Sequence, residues 1–503
     1  MPSSFFKAHR NSSAALAALL GLLLLYLGIA VSAQAGAGGQ DSWNHYLYAR
    51  WCYKHPLLIL DLWGKPFFTL LASPFAQLGI GAVYILNMIA TLATAWITYM
   101  IGRKLAMRNP WTLILLFGLQ PVVIGNFYSA LTEPTNAFVL AFTLYLFVSD
   151  HYKSAVIMAS FLPLLRTEGL VLVGSMIPFI VVRKRYSLLP WLLTGTVFYS
   201  LLAALISGDW GYFFKNNPYF KFENSEPSSF DPGSGSLFYY LENQRQITGF
   251  WLSLLMAVTL IMGLIYIFQR LKKKTPHELS QILVWLLFPV YFGYLAAHSL
   301  IWYLGILGSH GLFRVFMVVA PVAALIAQFA IHKLMAQDIR ILNRIMKVIT
   351  VIGCFLLAYP GAHFPYPWEN KVSINGYPGT PQLDKAIEFI DQRGWKKHPI
   401  VHQIPELNVH MDLDPFMEGT NLSDYSTFYI WSINKAEPNK DWLPDSSVVI
   451  WDNFHARRDA PMTLNEIRNL NSYKEVAYFP ADVSITGNPN DTFYDVRVFI
   501  KSK

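Results

Sequence analysis

Charge is scarce in this chain: of 503 residues only 14% are charged, while 54% are hydrophobic and 15% aromatic. So little charge excludes an ordinary water-soluble enzyme of this length. Cysteine is scarcer still, at two, Cys52 and Cys354. Two thiols, one inside an apolar run, exclude a disulfide framework, and neither has the companion ligands of a zinc site. Internal repeats of helix-pair type are also missing. The net charge of +8 does not indicate nucleic acid, because the basic residues fall in short loops between apolar runs, where they orient a membrane protein. No nucleic-acid partner is expected.

What the chain has instead is a series of apolar runs near the length that crosses a bilayer. They cover residues 13–33, 80–102, 110–126, 134–149, 153–166, 169–182, 188–207, 247–268, 281–303, 311–332 and 345–360, about eleven spans. From residue 361 the sequence turns polar and mixed. The expected architecture is a polytopic α-helical membrane domain over 1–360, then a soluble domain over 361–503. The first run follows KAHR and precedes VSAQA, a pattern shared with secretory signals, but it exceeds the usual 7–15 residues and is expected to stay as a span. PFFTLLASPFAQLG, 66–79, is short and Pro-interrupted, and reads as a juxtamembrane helix.

Charge asymmetry orients the spans. Loops containing RKLAMR, VRKRY and RLKKK have few acids and read as cytoplasmic. The alternate loops carry Asp41, Asp61, Glu133, Glu168, Asp209, Glu223, Glu226, Asp231 and Glu242. An odd span count puts the C-terminal domain on their side, outside the cytoplasm.

Five stretches on that face carry candidate chemistry. In GGQDSWNHYLYARW, Asp41 reads as the N-cap of a helix beginning at Ser42 and also as a catalytic carboxylate at the membrane-water boundary. His45 follows one turn later on the same face, Arg50 reads as an interface anchor, and an Asp with one His does not define a metal site. In DLWGKP, Lys65 either snorkels toward head groups or binds a lipid phosphate as a point charge. In FYSALTEPTN, Glu133 before Pro134 makes a good helix start, or positions a sugar hydroxyl or a metal. Arg166 and Glu168 in LLRTEGL are an ionised pair between two short apolar segments, costly unless buried in protein or facing a wet cavity. His310 and Arg314 in LGSHGLFRVF sit one turn apart, placed to grip a phosphate or anchor the interface.

The order of these elements resembles the GT-C superfamily of integral-membrane glycosyltransferases, most of all its protein O-mannosyltransferase and lipid A aminoarabinose transferase branch. The resemblance runs from residue 13 to about 210: a first span, an acidic loop, WGKPFF at 63–68, a juxtamembrane helix, a span ending in GRK, the TEP loop and RTEG at 166–169. GLFR at 311–314 loosely resembles a later Arg-containing loop. The resemblance implies a GT-C-like fold and a sugar donor carried on a polyprenyl phosphate. It also puts Asp41 at the reaction centre and Lys65 against the donor phosphate. This chain departs from it in having Asp41 alone where many members have an acidic pair, and GKPFF where they have GKPPL-like residues.

The chemistry that follows is transfer to an acceptor hydroxyl with inversion. Asp41 acts as general base, and Lys65, Arg166 and Arg314 stabilise the departing phosphate, with His45, Glu133, Glu168 and His310 binding substrate. A divalent cation is compatible with this site but not demanded by it. The acceptor belongs to a lipid-linked saccharide, lipopolysaccharide or protein, and the expected location is a bacterial inner membrane with the site and C-terminal domain facing the periplasm. A transporter or lipid flippase using the same carboxylates for coupling is the alternative, though related halves with matching interrupted helices are not visible.

In the C-terminal part, PQLDKAIEFIDQRG reads as an amphipathic helix ended by Gly394, and PIVHQ, SVVIWD, EVAYF and YDVRVFI read as strands of an α/β or α+β domain. WDNFHARRDAP is its most charged loop and a candidate acceptor contact. Asn421 and Asn490 begin Asn-x-Ser/Thr triplets, short patterns that recur by chance.

Overall fold

The computed structural model of the chain describes residues 2–33, 36–216, 234–271, 278–307, 309–335, 380–416, 445–456, 463–481 and 494–502, with single positions between them. The boundary at 360/361, most of the run 345–360, Asn421, Asn490 and the ARRDAP end of the charged loop lie largely or wholly outside these residues.

Helices dominate the first 335 residues. α1 (Pro2–Ser32), α4 (Ile80–Lys104) and α12 (Phe250–Leu271) are long and apolar. With the segments 186–207 and 279–304 they make five stretches, among the described residues, long enough to cross a membrane, and the protein is an integral membrane protein. The other apolar runs that fall within the described residues form shorter helices, so a count of eleven full spans does not emerge there. Local chemistry explains the breaks. The run 110–126 divides into α5 (Thr112–Gly118) and α6 (Pro121–Ile124), because Pro121 supplies no N–H to continue the helix before it. The run 153–166 divides into α8 (Tyr152–Ala159) and α9 (Leu162–Leu165), the second again opening next to a proline, Pro163. α7 (Glu133–Val148) and α10 (Gly169–Val182) keep their expected bounds nearly to the residue.

α1 shows how apolar spacing becomes packing. Ala15, Ala18, Leu22, Tyr26 and Ile29 recur every three or four residues and are all buried, while Leu16, Leu20, Leu24 and Leu27 on its other side are exposed. Tyr26 stacks on Phe127 at 3.9 Å and its hydroxyl donates to the Gly118 carbonyl at 2.8 Å, so its polar tip is satisfied inside the bundle.

The juxtamembrane helix α3 (Pro66–Ala76) and the polar helix α2 (Gly39–Trp51) lie between α1 and α4 in sequence and pack on each other. Asp41 is not the cap of α2. The helix starts two residues earlier, at Gly39, with Gly38 at the N-cap in a left-handed conformation (φ 99°), which leaves Asp41 in the first turn. A side chain at Gly38 would meet Leu131 at 2.6 Å, so glycine is needed there for space as well as for φ.

The C-terminal part carries a mixed four-stranded sheet in the order β1-β2-β4-β3. β1 (Ile400–His402) runs parallel to β2 (Val448–Asp452). β4 (Val496–Lys501) is antiparallel to both β2 and β3 (Tyr473–Phe479). All four strands match the stretches read from sequence. Period-2 alternation buries both faces: Val448, Ile450, Val496 and Val498 pack with the helix Thr380–Gln392, and Val449, Trp451 and Phe499 pack with Ile467 on the other side.

This sheet-bearing part docks on α2. Arg50 grips Asp412 with two bonds, Nε to Oδ1 at 3.0 Å and Nη2 to Oδ2 at 2.8 Å, and also holds Gln77. Asp414 lies 2.8 Å from His55 Nε2 and 2.9 Å from Lys54 Nζ, and Phe416 meets Tyr48 edge-on. Asp414→Ala is expected to lower stability by about 1–2 kcal/mol, allowing for the half-exposed Lys54. The control Asp391→Ala removes a surface pair with Lys396 and should stay within about 0.5 kcal/mol of the parent. Thermal unfolding in detergent separates the two.

Candidate active site

Two loops are stitched together beneath the site. Asn87, buried in α4, donates to the carbonyls of Ser129 and Leu131 at 2.7 Å each and accepts from the Thr135 hydroxyl at 2.8 Å. An amide inside an apolar helix bundle is costly unless satisfied, and these three bonds spend its capacity on fixing the TEP loop. Ser42 Oγ of α2 then accepts from Ala130 N at 2.7 Å, and Ala37 N donates to the Tyr128 carbonyl at 2.8 Å. The acidic loop thereby registers against the loop that carries Glu133.

The cavity above them has a volume of about 510 Å³. All eight residues singled out from the sequence line it: Asp41, His45, Lys65, Glu133, Arg166, Glu168, His310 and Arg314. They arrive from α2, the turn before α3, the start of α7, the turn before α10 and the segment after residue 307. Among the lining residues not singled out are Trp63, Thr167, Tyr240 and His298. His298 had a readable signal, since it is an ionisable side chain within the span 279–304. Tyr240 had none: it lies in a one-turn helix, Tyr239–Glu242, within a stretch that the sequence presents as a loop.

Glu133 sits at the centre of the charges. It is 0% exposed, and its Oε1 lies 2.8 Å from Arg166 Nη1 and 3.4 Å from Arg314 Nε. Arg166 also reaches Glu168 Oε1 at 2.9 Å and Thr132 Oγ1 at 3.3 Å, and Arg314 pairs with Asp41. The chain of ion pairs therefore runs Asp41, Arg314, Glu133, Arg166, Glu168. Asp41 is its open end, with a side chain 41% exposed into the cavity.

Lys65 is turned into the protein, not out toward head groups. It is 7% exposed, and its Nζ donates to the Leu62 carbonyl at 3.1 Å and to Thr167 Oγ1 at 3.4 Å. The backbone cooperates: Asp61 Oδ1 accepts from Gly64 N at 2.8 Å, closing the turn, and Lys65 takes a left-handed φ of 65° just before Pro66. A non-glycine residue held there is strained, a feature that clusters at functional sites.

Electrostatics follow from the pairing. Burial alone would raise the Asp41 pKa, but the charge of Arg314, helped by His45 and Arg166, more than offsets it and the net shift is downward. Glu168 is held well below the usual carboxylate range in the same way, burial being overcome by Arg166 and then His298 and Lys65. His45 moves the other way in charge: burial, with Lys65 and Arg166 opposing protonation, lowers it to about 4. It is neutral at physiological pH. Among the described residues no cluster of three metal-binding side chains occurs.

Removing Glu133 should damage the protein more than removing Asp41, because it strands two guanidinium groups in a buried setting. Glu133→Ala is expected to cost about 3–5 kcal/mol, and Asp41→Ala about 1 kcal/mol or less, in denaturation of the purified protein. A pH series tests the histidine. The unfolded chain protonates His45 below about 6.5 and the folded site only near 4, so the unfolded state binds more protons in that window. Stability should fall on acidification from 6.5 to 4, by up to about 3 kcal/mol, and His45→Gln should flatten that slope. Below about pH 4 the depressed carboxylates Asp41 and Glu168 add a second loss as they take up protons.

No protein-family model and no curated protein matches the sequence. Among solved structures the chain is similar to ArnT from Cupriavidus metallidurans bound to undecaprenyl phosphate, with 11% identity and a TM-score of 0.59. It is also similar to the apo state of the same protein, with 12% identity and a TM-score of 0.56; each comparison covers 95% of this chain and 98% of that one. At such identity the likeness is one of fold, and along almost its whole length the chain shares the fold of those two structures.

Proposed function

We propose that this protein is a glycosyltransferase that moves a sugar from a polyprenyl-phosphate donor to an acceptor hydroxyl. The observation that carries the reading is the mixed lining of the cavity. It holds the chain of ion pairs and Lys65, and with them the apolar side chains of Leu170, Val171, Ala297, Ile301, Leu307 and Leu312. Of these, Leu170 is 58% exposed and Leu307 47%, large apolar side chains that suit contact with lipid. A ligand with an anionic head and a long hydrocarbon tail matches both kinds of lining. The solved structure of the same fold bound to undecaprenyl phosphate supports that choice.

Lys65, Arg166 and Arg314 receive the phosphate. Once a phosphate oxygen competes for Arg314, Asp41 loses its closest counter-charge and becomes a stronger base at the moment it is needed. The acceptor oxygen bonds to the anomeric carbon from the face opposite the phosphate, its proton passes to Asp41, and the carbon–oxygen bond to the phosphate breaks with the pair going to that oxygen. One displacement gives inversion. Preorganised cations at the leaving oxygen supply the larger share of the rate. The docking of the sheet-bearing part on α2 supports placing it on the same membrane face as the cavity. The basic loops support an extracytoplasmic face, periplasmic in a bacterial inner membrane.

Labelled polyprenyl-phosphate sugar is the test. Asp41→Asn should lower kcat by about 10²–10⁴-fold with the fold intact, and Lys65→Ala should weaken donor use by about 10–100-fold. Equal turnover by Asp41→Asn would remove it from the base role. Uptake of substrate into vesicles with no glycosyl product would replace the enzyme with a transporter.

A further inference from the structure

The fixed charges of the cavity are balanced before any ligand arrives. Asp41, Glu133 and Glu168 face Lys65, Arg166 and Arg314, and the other lining side chains that can carry a positive charge are the histidines His45, His298 and His310. A phosphodiester brings one negative charge, and the phosphate monoester left after transfer carries up to two. In a cavity walled largely by apolar side chains an uncompensated charge is costly. One positive charge must enter with the donor or arise in the site.

His45 is built to supply it. It is 5% exposed, its ring lies at 18° and 5.0 Å on Trp63 and edge-on to Phe68, and its Nδ1 is buried with no hydrogen-bond partner. A buried polar atom left unpartnered is costly, and here it lies on a residue lining the cavity. The charged groups facing the ring are Asp41 on its own helix, Lys65 before α3, Glu133 at the start of α7 and Arg166 before α10. The two cations and burial keep the imidazole neutral in the empty site. A phosphate seated on Lys65 and Arg166 offsets one of those two positive charges at the ring and adds to the pull of Asp41 and Glu133 toward its protonation.

We propose that His45 takes up a proton as the donor phosphate binds and so becomes the fourth cation of the site. The inference rests on the phosphate-donor reading above. The cycle balances: the acceptor hydroxyl gives its proton to Asp41, the leaving phosphate takes the proton of His45 and departs as the monoanion, and Asp41 returns its proton to His45. One proton enters as each donor binds and one leaves the ring as the phosphate departs, because the empty site holds His45 neutral. His298 is the rival group. It too has a buried unpartnered nitrogen, Nε2, but it packs against Tyr294 at 4.4 Å and its charged neighbours are Glu168 and Arg166.

Isothermal titration calorimetry of the full-length protein with undecaprenyl methyl phosphodiester tests this. The probe carries one charge and does not itself titrate near neutrality. At pH 6, in two buffers of different protonation heat and with a chelator present, the parent should take up half a proton or more per ligand, as should His298→Gln. His45→Gln should bind several-fold more weakly with uptake near zero. Binding by the parent without uptake would overturn the proton role and leave the donor reading standing, a result readable even if His45→Gln fails to fold. Uptake that survives in His45→Gln, or disappears in His298→Gln, would also overturn it. A parent that does not bind the probe would overturn both readings.

Discussion

The carboxylate of Glu133 is the point on which the site depends. It has no exposure to solvent, yet it is the shared counter-charge of Arg166 and Arg314. Without it two guanidinium groups that come from regions nearly 150 residues apart would repel each other across a low-dielectric space. With it they stand side by side, one reaching Glu168 and the other Asp41. Glu133 therefore organises the two cations, a role its sequence position before Pro134 did not reveal. The helix-start reading of that residue also holds, because Glu133 begins α7.

Much of this arrangement was legible beforehand, for a physical reason. In a chain so poor in charge, an ionised side chain between apolar runs is expensive, and the few that exist concentrate where something repays them. Asp41, Lys65, Glu133, Arg166, Glu168, His310 and Arg314 stood out against that background and now line one cavity. The strands were legible because period-2 burial on both faces leaves short, apolar, β-branched runs such as VVIWD. What could not be read was anything set by space: that Gly38 rather than Asp41 starts α2, that Pro121 divides one run into two short helices, and that Arg50 reaches a residue 362 positions away. Tyr240 and Trp63 enter the cavity by tertiary packing alone.

The docking of the sheet-bearing part gives α2 two kinds of neighbour. Its first turn meets the ion pairs, while its last turn meets Asp412 and, beyond it, Asp414 engages Lys54 and His55. Tyr48 lies between, touching Trp63 of the cavity wall and Phe416 of the docked segment. A single polar helix thus connects the charged cavity with the domain outside it, and its pitch is fixed at both ends.

The same separations have a consequence for how the molecule is made. Ribosomal synthesis delivers Asp41, Lys65, Glu133 and Arg166 long before Arg314, and Arg314 long before Asp412. A nascent chain that has reached α10 already holds the Glu133–Arg166 pair, but Asp41 has no partner in it and α2 has no outer support. The charged cavity is therefore completed from the C-terminal side, late in synthesis. Its last fastening closes only after residue 412 has been made and can pair with Arg50 of α2.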